Sequence, residues 1–287
     1  METRYLNAED GTRLHVHICR PSRSPVGRVL LVHGLSEHAG RYHHLMDFYS
    51  RHRLEVFAPD LRGHGRSDGL RGDVREYCLF LDDIDLLLDE CNRSAPLPTV
   101  LHAHSMGGGI VGNWLTQRHH SRVRAAVLTA PWFRLTRPIP SWKEFAFRLG
   151  ARFLPTWRIP AAPPIKDLTG DPEAVKRYLE DPLFHRTVSL RLAVAAYDAG
   201  FTALDAAANC SLPLLALHSP DDRVTLAEGT SNFCSRVRLA EFRLLPGLAH
   251  ELHNETGWQE LFGDVAEWML GQCETSHLCD EPRIQNT

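Results

Sequence analysis

The sequence predicts an α/β fold built on a mostly parallel central sheet, with helices on both faces and a helical segment inserted between two of the strands. Three observations predict it. Short apolar runs alternate with amphipathic helical patterns from about residue 28 to residue 130, the signature of a parallel sheet whose crossovers are helices. The alternation stops at Pro131, gives way to proline-rich and helix-like stretches over 131–205, and resumes at Pro213. Within the first stretch, an apolar run ending near Leu101 turns into a helical pattern around Ala103-His104-Ser105-Met106-Gly107, a corner too abrupt for relaxed backbone.

Taken in order, residues 1–20 read as a hairpin: Tyr5 to Asn7, a turn at Glu9-Asp10-Gly11, then Leu14, Val16 and Ile18 alternating with His15 and His17. The two histidines share one face, but nothing nearby suggests a third ligand, so no metal is assigned. Arg28 to Val32 is a buried strand ending at His33-Gly34. A helix follows from about Arg41 to His52, then a strand, Leu54 to Ala58, and a glycine-rich loop, Pro59 to Gly69. With no GKS or GKT after it and no GxGxxG opening a helix, that loop is not a nucleotide site. Cys78 to Cys91 places Leu79, Ile84, Leu87 and Leu88 on one stripe and its acids outside, an amphipathic helix. The run from Pro98 to Leu101 is a strand, the helix after the corner reaches about His120, and Val123 to Ala130 is a further strand. No convincing strand lies in 131–205. Pro213 to His218 and Ala240 to Leu245 are strands, each followed by a helix, the last running from Trp258 to Leu270. The expected division is a core over 1–130, a helical cap over 131–205, the rest of the core over 206–270, and a mobile polar tail over 271–287.

The corner holds the chemistry. A strand that becomes a helix within one or two residues pushes the corner side chain out above the sheet, and the positions two before and two after it must be small. Gly107 meets this, and Ala103 stands where glycine is usual. Ser105 is therefore the candidate nucleophile, against the plainer reading of a serine at a helix N-cap. A serine hydroxyl needs a base, and the base an orienting acid, at the ends of later strands. The strand ending at His218 leads into Asp221-Asp222-Arg223-Val224, and that ending at Leu245 leads into Gly247-Leu-Ala-His-Glu-Leu-His253. Asp222 is preferred to Asp221 because Asp-Arg-Val begins the following loop. His250 is preferred to His253 because it lies nearer its strand. His250 and His253 are spaced one residue short of an HExxH zinc site. The backbone N–H groups of Leu35 and Met106 are the expected oxyanion donors. His33 and His38 read as loop-holding residues, and His104 as packed beneath the corner.

His33-Gly-Leu-Ser-Glu-His-Ala-Gly-Arg-Tyr42, Asp60-Leu-Arg-Gly-His-Gly-Arg-Ser67, His104-Ser-Met-Gly-Gly108, Asp181-Pro-Leu183, Asp222-Arg-Val224 and Gly247 to Glu255 together resemble the α/β-hydrolase fold. Within it they are similar to the monoacylglycerol lipase and lysophospholipase family, also grouped with serine aminopeptidase-like hydrolases. The resemblance covers roughly residues 10–270. It implies a Ser105–His250–Asp222 triad, the Leu35 and Met106 oxyanion hole, no cofactor, and hydrolysis of single-chain acyl esters of glycerol. Departures are Ala103 for Gly and Ser219 for the Gly common three residues before the acid, and neither removes a reacting group. Alternative activities within this reading are lysophospholipase, short-chain carboxylesterase and aminopeptidase; outside it stands a non-catalytic binder of lipid or of a protein partner.

A formal net charge of -3 in 287 residues gives no basic footprint for nucleic acid. No apolar run approaches a membrane span, the N-terminus lacks the apolar core of a signal peptide, and the seven scattered cysteines read as reduced thiols, so a cytoplasmic location is expected. Residues 131–160 hold seven aromatics (Trp132, Phe133, Trp142, Phe145, Phe147, Phe153, Trp157) and six basic residues against the single acid Glu144. Trp132, Phe133, Trp142 and Phe145 are the expected substrate-binding aromatics of the cap. Trp142, Phe145, Leu149 and Phe153 form one helical stripe, read either as a face packed onto the core or as a basic amphipathic surface that rests on anionic lipid.

Overall fold

The computed structural model describes residues 1–274. Its elements follow the predicted alternation. Strands β1 (Glu2–Asn7) and β2 (Arg13–Cys19) form the N-terminal hairpin; β3 (Gly27–Val32) precedes α1 (His43–Arg51), and β4 (Leu54–Pro59) precedes α2 (Cys78–Ser94). Then come β5 (Thr99–His104), α3 (Ser105–Gln117) and β6 (Val123–Thr129). The inserted segment carries α4 (Ser141–Phe153), β7 (Arg158–Pro160), α5 (Pro172–Glu180), β8 (Thr187–Ser189) and α6 (Leu190–Ala206). The chain returns through β9 (Leu214–His218), α7 (Ala227–Cys234), β10 (Ala240–Leu244) and α8 (Trp258–Glu274).

One sheet runs in the order β1-β2-β4-β3-β5-β6-β9-β10, parallel except at β1-β2 and β2-β4. Its central strands are apolar throughout because both faces are covered. Alternate residues divide between two cores: Leu30, Leu101 and Leu128 pack with α2, α3 and α7, whereas Val29, Val100 and Val127 pack with α1 and α8. The parallel strands leave their C-terminal ends on one edge, where ligands bind in open α/β sheets. There the loops after β3, β5, β6, β9 and β10 converge.

Three expectations are corrected. The inserted segment does contain strands, since β7 and β8 pair antiparallel over three residues each, too few for an alternating pattern to register. The last helix does not stop at Leu270: Gly271 to Glu274 continue it because Cys273 is buried against the core. The rest of the expected tail, 275–287, lies outside the described residues. His15 and His17 also have a third group beside them. The antiparallel pairing of β2 with β4 brings Asp60 to 3.0 Å from His15 Nδ1 and 3.8 Å from His17 Nε2. The Asp60 oxygens accept the Ala39 and Arg66 amides as well, so the group is a hub that ties the 36–42 and 60–67 loops to β2. Among the described residues, no helix is long and apolar enough to cross a membrane.

Candidate active site

Ser105 is the first residue of α3 and sits at φ 52, a left-handed conformation that costs a non-glycine residue about 1–3 kcal/mol and persists only where its surroundings enforce it. The surroundings are tight. A Cβ at Gly107 would overlap the carbonyl oxygens of Val32 and His33, and one at Gly108 would lie 2.8 Å from Pro131 Cβ. Ala103 is buried, paired with Val32 of β3 on one side and Leu128 of β6 on the other. Two further non-glycine residues with positive φ, Ser36 (φ 71) and Ala130 (φ 44), follow β3 and β6 on the same edge. Strain thus gathers where the loops meet.

Three of these loops bring their side chains into one line. His250 Nε2 lies 2.8 Å from Ser105 Oγ, and His250 Nδ1 lies 2.7 Å from Asp222 Oδ2. Asp222 is buried. Its Oδ1 accepts the Val224 and Thr225 amides at 2.7 and 3.1 Å, which anchors that oxygen and leaves Oδ2 on the side of the imidazole. Burial alone would raise its pKa, but the neighbouring His250 and the hydrogen bonds from His218 and His250 outweigh that and hold it below the carboxylate range. For His250 burial pulls downward, and the neighbouring Asp222 charge and hydrogen bond more than reverse it, leaving the imidazole above its ordinary value. The pair is therefore an imidazole of raised basicity facing a serine hydroxyl.

The neighbours not preferred from the sequence have other partners. Asp221 accepts the Gly247 amide at 2.7 Å and so braces the loop that carries His250. His253 stacks on Tyr42 with ring centroids 4.3 Å apart. His104 packs its ring 4.7 Å from that of His250 while its Nδ1 lies 3.1 Å from the Thr129 carbonyl oxygen. Burial holds it neutral, well below the usual imidazole range, so it adds no charge beneath the base.

The loop after β3 is tied down from several sides. Gly34 N–H donates to Glu37 Oε1 at 2.6 Å, which leaves Leu35 next in line on the cavity wall. A Cβ at Gly34 would lie 2.8 Å from Glu37 Oε1 and 3.0 Å from Ser105 Cβ. His33 lies 2.7 Å from the Gly34 carbonyl oxygen through Nδ1 and accepts the Leu61 amide on Nε2. His38 Nε2 lies 2.9 Å from Asp181 of the inserted segment. Met106 N–H belongs to the first turn of α3, whose amides have no acceptor within the helix.

Sequence reasoning missed the buried ionic cluster beside this loop. Arg41 bridges Glu37 and Glu251, at 3.3 and 3.0 Å, and its guanidinium lies 4.3 Å from the Tyr178 ring. It links the loop after β3, the residue after His250, and α5. The motif His33 to Tyr42 contained two of the members, but no local pattern could say that Glu251 and Tyr178 meet them. Burial and the nearby Glu251 push the Glu37 carboxyl up to about 7 against the pull of Arg41.

Ser105 and His250 open into a cavity of about 240 Å³ with mostly apolar walls, among them Leu135, Phe147, Ile159, Val194 and Phe184. Of the four expected substrate-binding aromatics, only Trp132 lines it. Phe133 is 1% exposed and stacked on Phe233, in space that side chains at Gly112 and Gly200 would fill. Trp142 and Phe145 point outward, each 69% exposed. The helix turns its other face, with Glu144, Phe147 and Gly150, toward the cavity and α6. The stripe expected on one reading to pack against the core therefore faces solvent.

Comparison with known proteins agrees with this architecture. A family model described as serine aminopeptidase, S33, matches residues 23–257. The monoacylglycerol lipase of Mycolicibacterium smegmatis is 33% identical over 278 residues, covering 93% of this chain and 95% of its own. Human monoglyceride lipase is 26% identical over 283 residues, covering 95% of this chain and 92% of its own. The crystal structure of Paleococcus ferrophilus monoacylglycerol lipase superposes with a TM-score of 0.81 at 28% identity, over 90% of this chain and 99% of that one. The sheet order, the strained serine corner and a family match over most of the chain lead to one conclusion: the chain belongs to the serine aminopeptidase S33 family of α/β-hydrolases.

Proposed function

We propose that this protein is a serine carboxylester hydrolase that cleaves single-chain acyl esters, with monoacylglycerol the preferred substrate. The observation that carries the reading is the unbroken line Ser105 Oγ, His250, Asp222 at 2.8 and 2.7 Å, with Ser105 and His250 lining an apolar cavity and Asp222 buried behind them. In the proposed mechanism Ser105 Oγ attacks the ester carbonyl while His250 Nε2 takes its proton. Asp222 holds the Nδ1–H tautomer and stabilises the imidazolium. The amides of Leu35 and Met106 receive the oxyanion. His250 then gives its proton to the departing alcohol, and water, deprotonated by the same imidazole, releases the fatty acid from the acyl-enzyme and restores Ser105. No metal or cofactor enters these steps. The inserted segment acts as a cap whose inner faces shape the acyl channel, consistent with the placement of Phe147, Ile159 and Val194.

A fluorophosphonate probe labelling the wild type and not Ser105→Ala supports the enzyme; an unlabelled wild type favours a non-catalytic binder. A chain-length series of p-nitrophenyl esters, run beside monoolein, lysophosphatidylcholine and an aminoacyl amide, tests the substrate class. Monoolein turned over fastest is the expected outcome. Preference for the shortest esters, for the lysophospholipid or for the amide would replace it with the esterase, lysophospholipase or aminopeptidase reading.

The outward stripe of α4 supports contact between the cap and a membrane surface. Trp142, Phe145 and Phe153 are 69, 69 and 70% exposed, and Leu154 and Trp157 continue the patch beside Lys143 and Arg152. A basic amphipathic face of this kind rests at an anionic lipid interface, next to the cavity wall where acyl chains would enter. Co-sedimentation with anionic vesicles should exceed that with neutral ones and fall in Trp142→Ala/Phe145→Ala. Equal partitioning to both vesicle types would remove this part of the proposal.

A further inference from the structure

We infer that His218 is a positioning residue for the triad acid, and that Thr230 sets the tautomer in which it works. His218 ends β9 and is completely buried, as is Thr230 on α7. Its Nε2 lies 3.1 Å from Asp222 Oδ2, the same oxygen that faces His250, and 3.1 Å from the Thr225 carbonyl oxygen. A carbonyl and a carboxylate only accept, so Nε2 carries the hydrogen. Nδ1 lies 2.7 Å from Thr230 Oγ1. A hydroxyl can donate there, and a neutral imidazole with its hydrogen on Nε2 must accept at Nδ1. Thr230 O–H to His218 Nδ1, then His218 Nε2–H to Asp222 Oδ2, is thus the arrangement in which each of these groups is satisfied without burying another charge.

The neutral state matters. A neutral donor holds Oδ2 in place yet leaves Asp222 its full negative charge for the His250 imidazolium, whereas a protonated His218 would compete for that charge. Oδ2 needs such a brace because the backbone amides fix only Oδ1. Thr225 Oγ1, at 2.9 Å from Oδ2, has a single hydrogen and lies 3.1 Å from the Ala130 carbonyl oxygen as well. A packing residue at the end of β9 would need none of this polar matching; a leucine would fill the space.

The inference rests on the triad reading, and its test separates the two. Ester hydrolysis and fluorophosphonate labelling are measured for wild type, His218→Leu, His218→Gln and Thr230→Val, each checked by thermal melting. The far-downfield proton resonance of His250 Nδ1–H is followed by NMR. In His218→Leu, kcat is expected to fall about tenfold with KM within twofold, the order expected from losing one hydrogen bond to a charged group that acts on the base. Its downfield resonance should shift or broaden. Glutamine can place an N–H near the Nε2 position, so His218→Gln should recover most of kcat and the resonance. Thr230→Val, which keeps the shape and removes only the donor, should lose kcat in the same sense and decides the matter if His218→Leu does not fold. An unlabelled wild type would overturn the triad reading itself. A labelled wild type with His218→Leu or Thr230→Val unchanged in kcat and resonance, or with His218→Gln as impaired as His218→Leu, would overturn this inference and leave the triad standing.

Discussion

Replacing Asp222 with asparagine tests the proposed mechanism most sharply, because the structure leaves the amide no good orientation. If asparagine keeps its oxygen where Oδ1 now accepts the Val224 and Thr225 amides, its NH2 faces His250 Nδ1, 2.7 Å from the present Oδ2. Two donors then oppose each other. The imidazole escapes by moving its hydrogen to Nε2, which puts an N–H against Ser105 Oγ and leaves no lone pair to take the serine proton. If the amide flips, its NH2 opposes the two backbone amides instead, and the loop that holds residue 222 must distort. The first orientation takes the lone pair from the base, and the second strains the loop that aims residue 222 at it; both keep nearly all the packing. A triad acid replaced in this manner elsewhere costs about 10⁴ in kcat, roughly 5.5 kcal/mol of barrier. The expected result is a kcat lower by ~10³–10⁴ with KM little changed. The assay is steady-state p-nitrophenyl ester hydrolysis, with circular dichroism confirming the fold. An Asp222→Asn enzyme within tenfold of wild type would refute the proposal that this carboxylate orients the base.

Further expectations follow from the same geometry. His250 must be neutral to accept a proton, so kcat/KM should be present above its pKa and lost as pH falls through it. Because the net shift of that imidazole is upward, the acid limb should lie above the 6.5 of an ordinary histidine; a midpoint below that value in a pH–rate profile would contradict it. Removing Arg41 leaves Glu37 and Glu251 buried without their shared partner, so Arg41→Leu should lose about 3–5 kcal/mol in urea unfolding; a loss under about 1 kcal/mol would show that the cluster tolerates the charge. Phe133→Ala should cost about 3–5 kcal/mol without moving the acyl-length optimum, as befits a core residue. Trp142→Ala should stay within about 0.5 kcal/mol of wild type in the same urea experiment, and a larger loss would mean that its exposed ring is packed in solution.

The alternation of apolar runs and helical stripes was enough to read the sheet, since a buried parallel strand must be apolar throughout and a covering helix must be apolar on one side. The serine corner was legible for a similar reason. A reversal from strand to helix in so few residues demands small neighbours, and Gly107 and Ala103 answer that demand in sequence alone. Asp222 and His250 could be preferred because strand ends are visible as the last residues of apolar runs; each run led to two candidates, and Asp-Arg-Val at the start of the loop and nearness to the strand chose between them.

What the chain order could not reveal are contacts made across the fold. Asp60 meets His15 and His17 only because β2 pairs with β4, and Arg41 meets Glu251 and Tyr178 across distances of 210 and 137 positions in the chain. His218 looked like the last residue of a strand until Thr230 and Asp222 closed around it. The direction of the α4 stripe was undecided for a deeper reason. Helical spacing says which residues share a face but not what that face meets, and only packing against α6 and the cavity showed that the aromatic side is the one turned to solvent. Sequence determined periodicity and the strained corner, which are local properties of the backbone; tertiary structure decided partners, because burial and hydrogen bonding depend on residues that the chain itself keeps far apart.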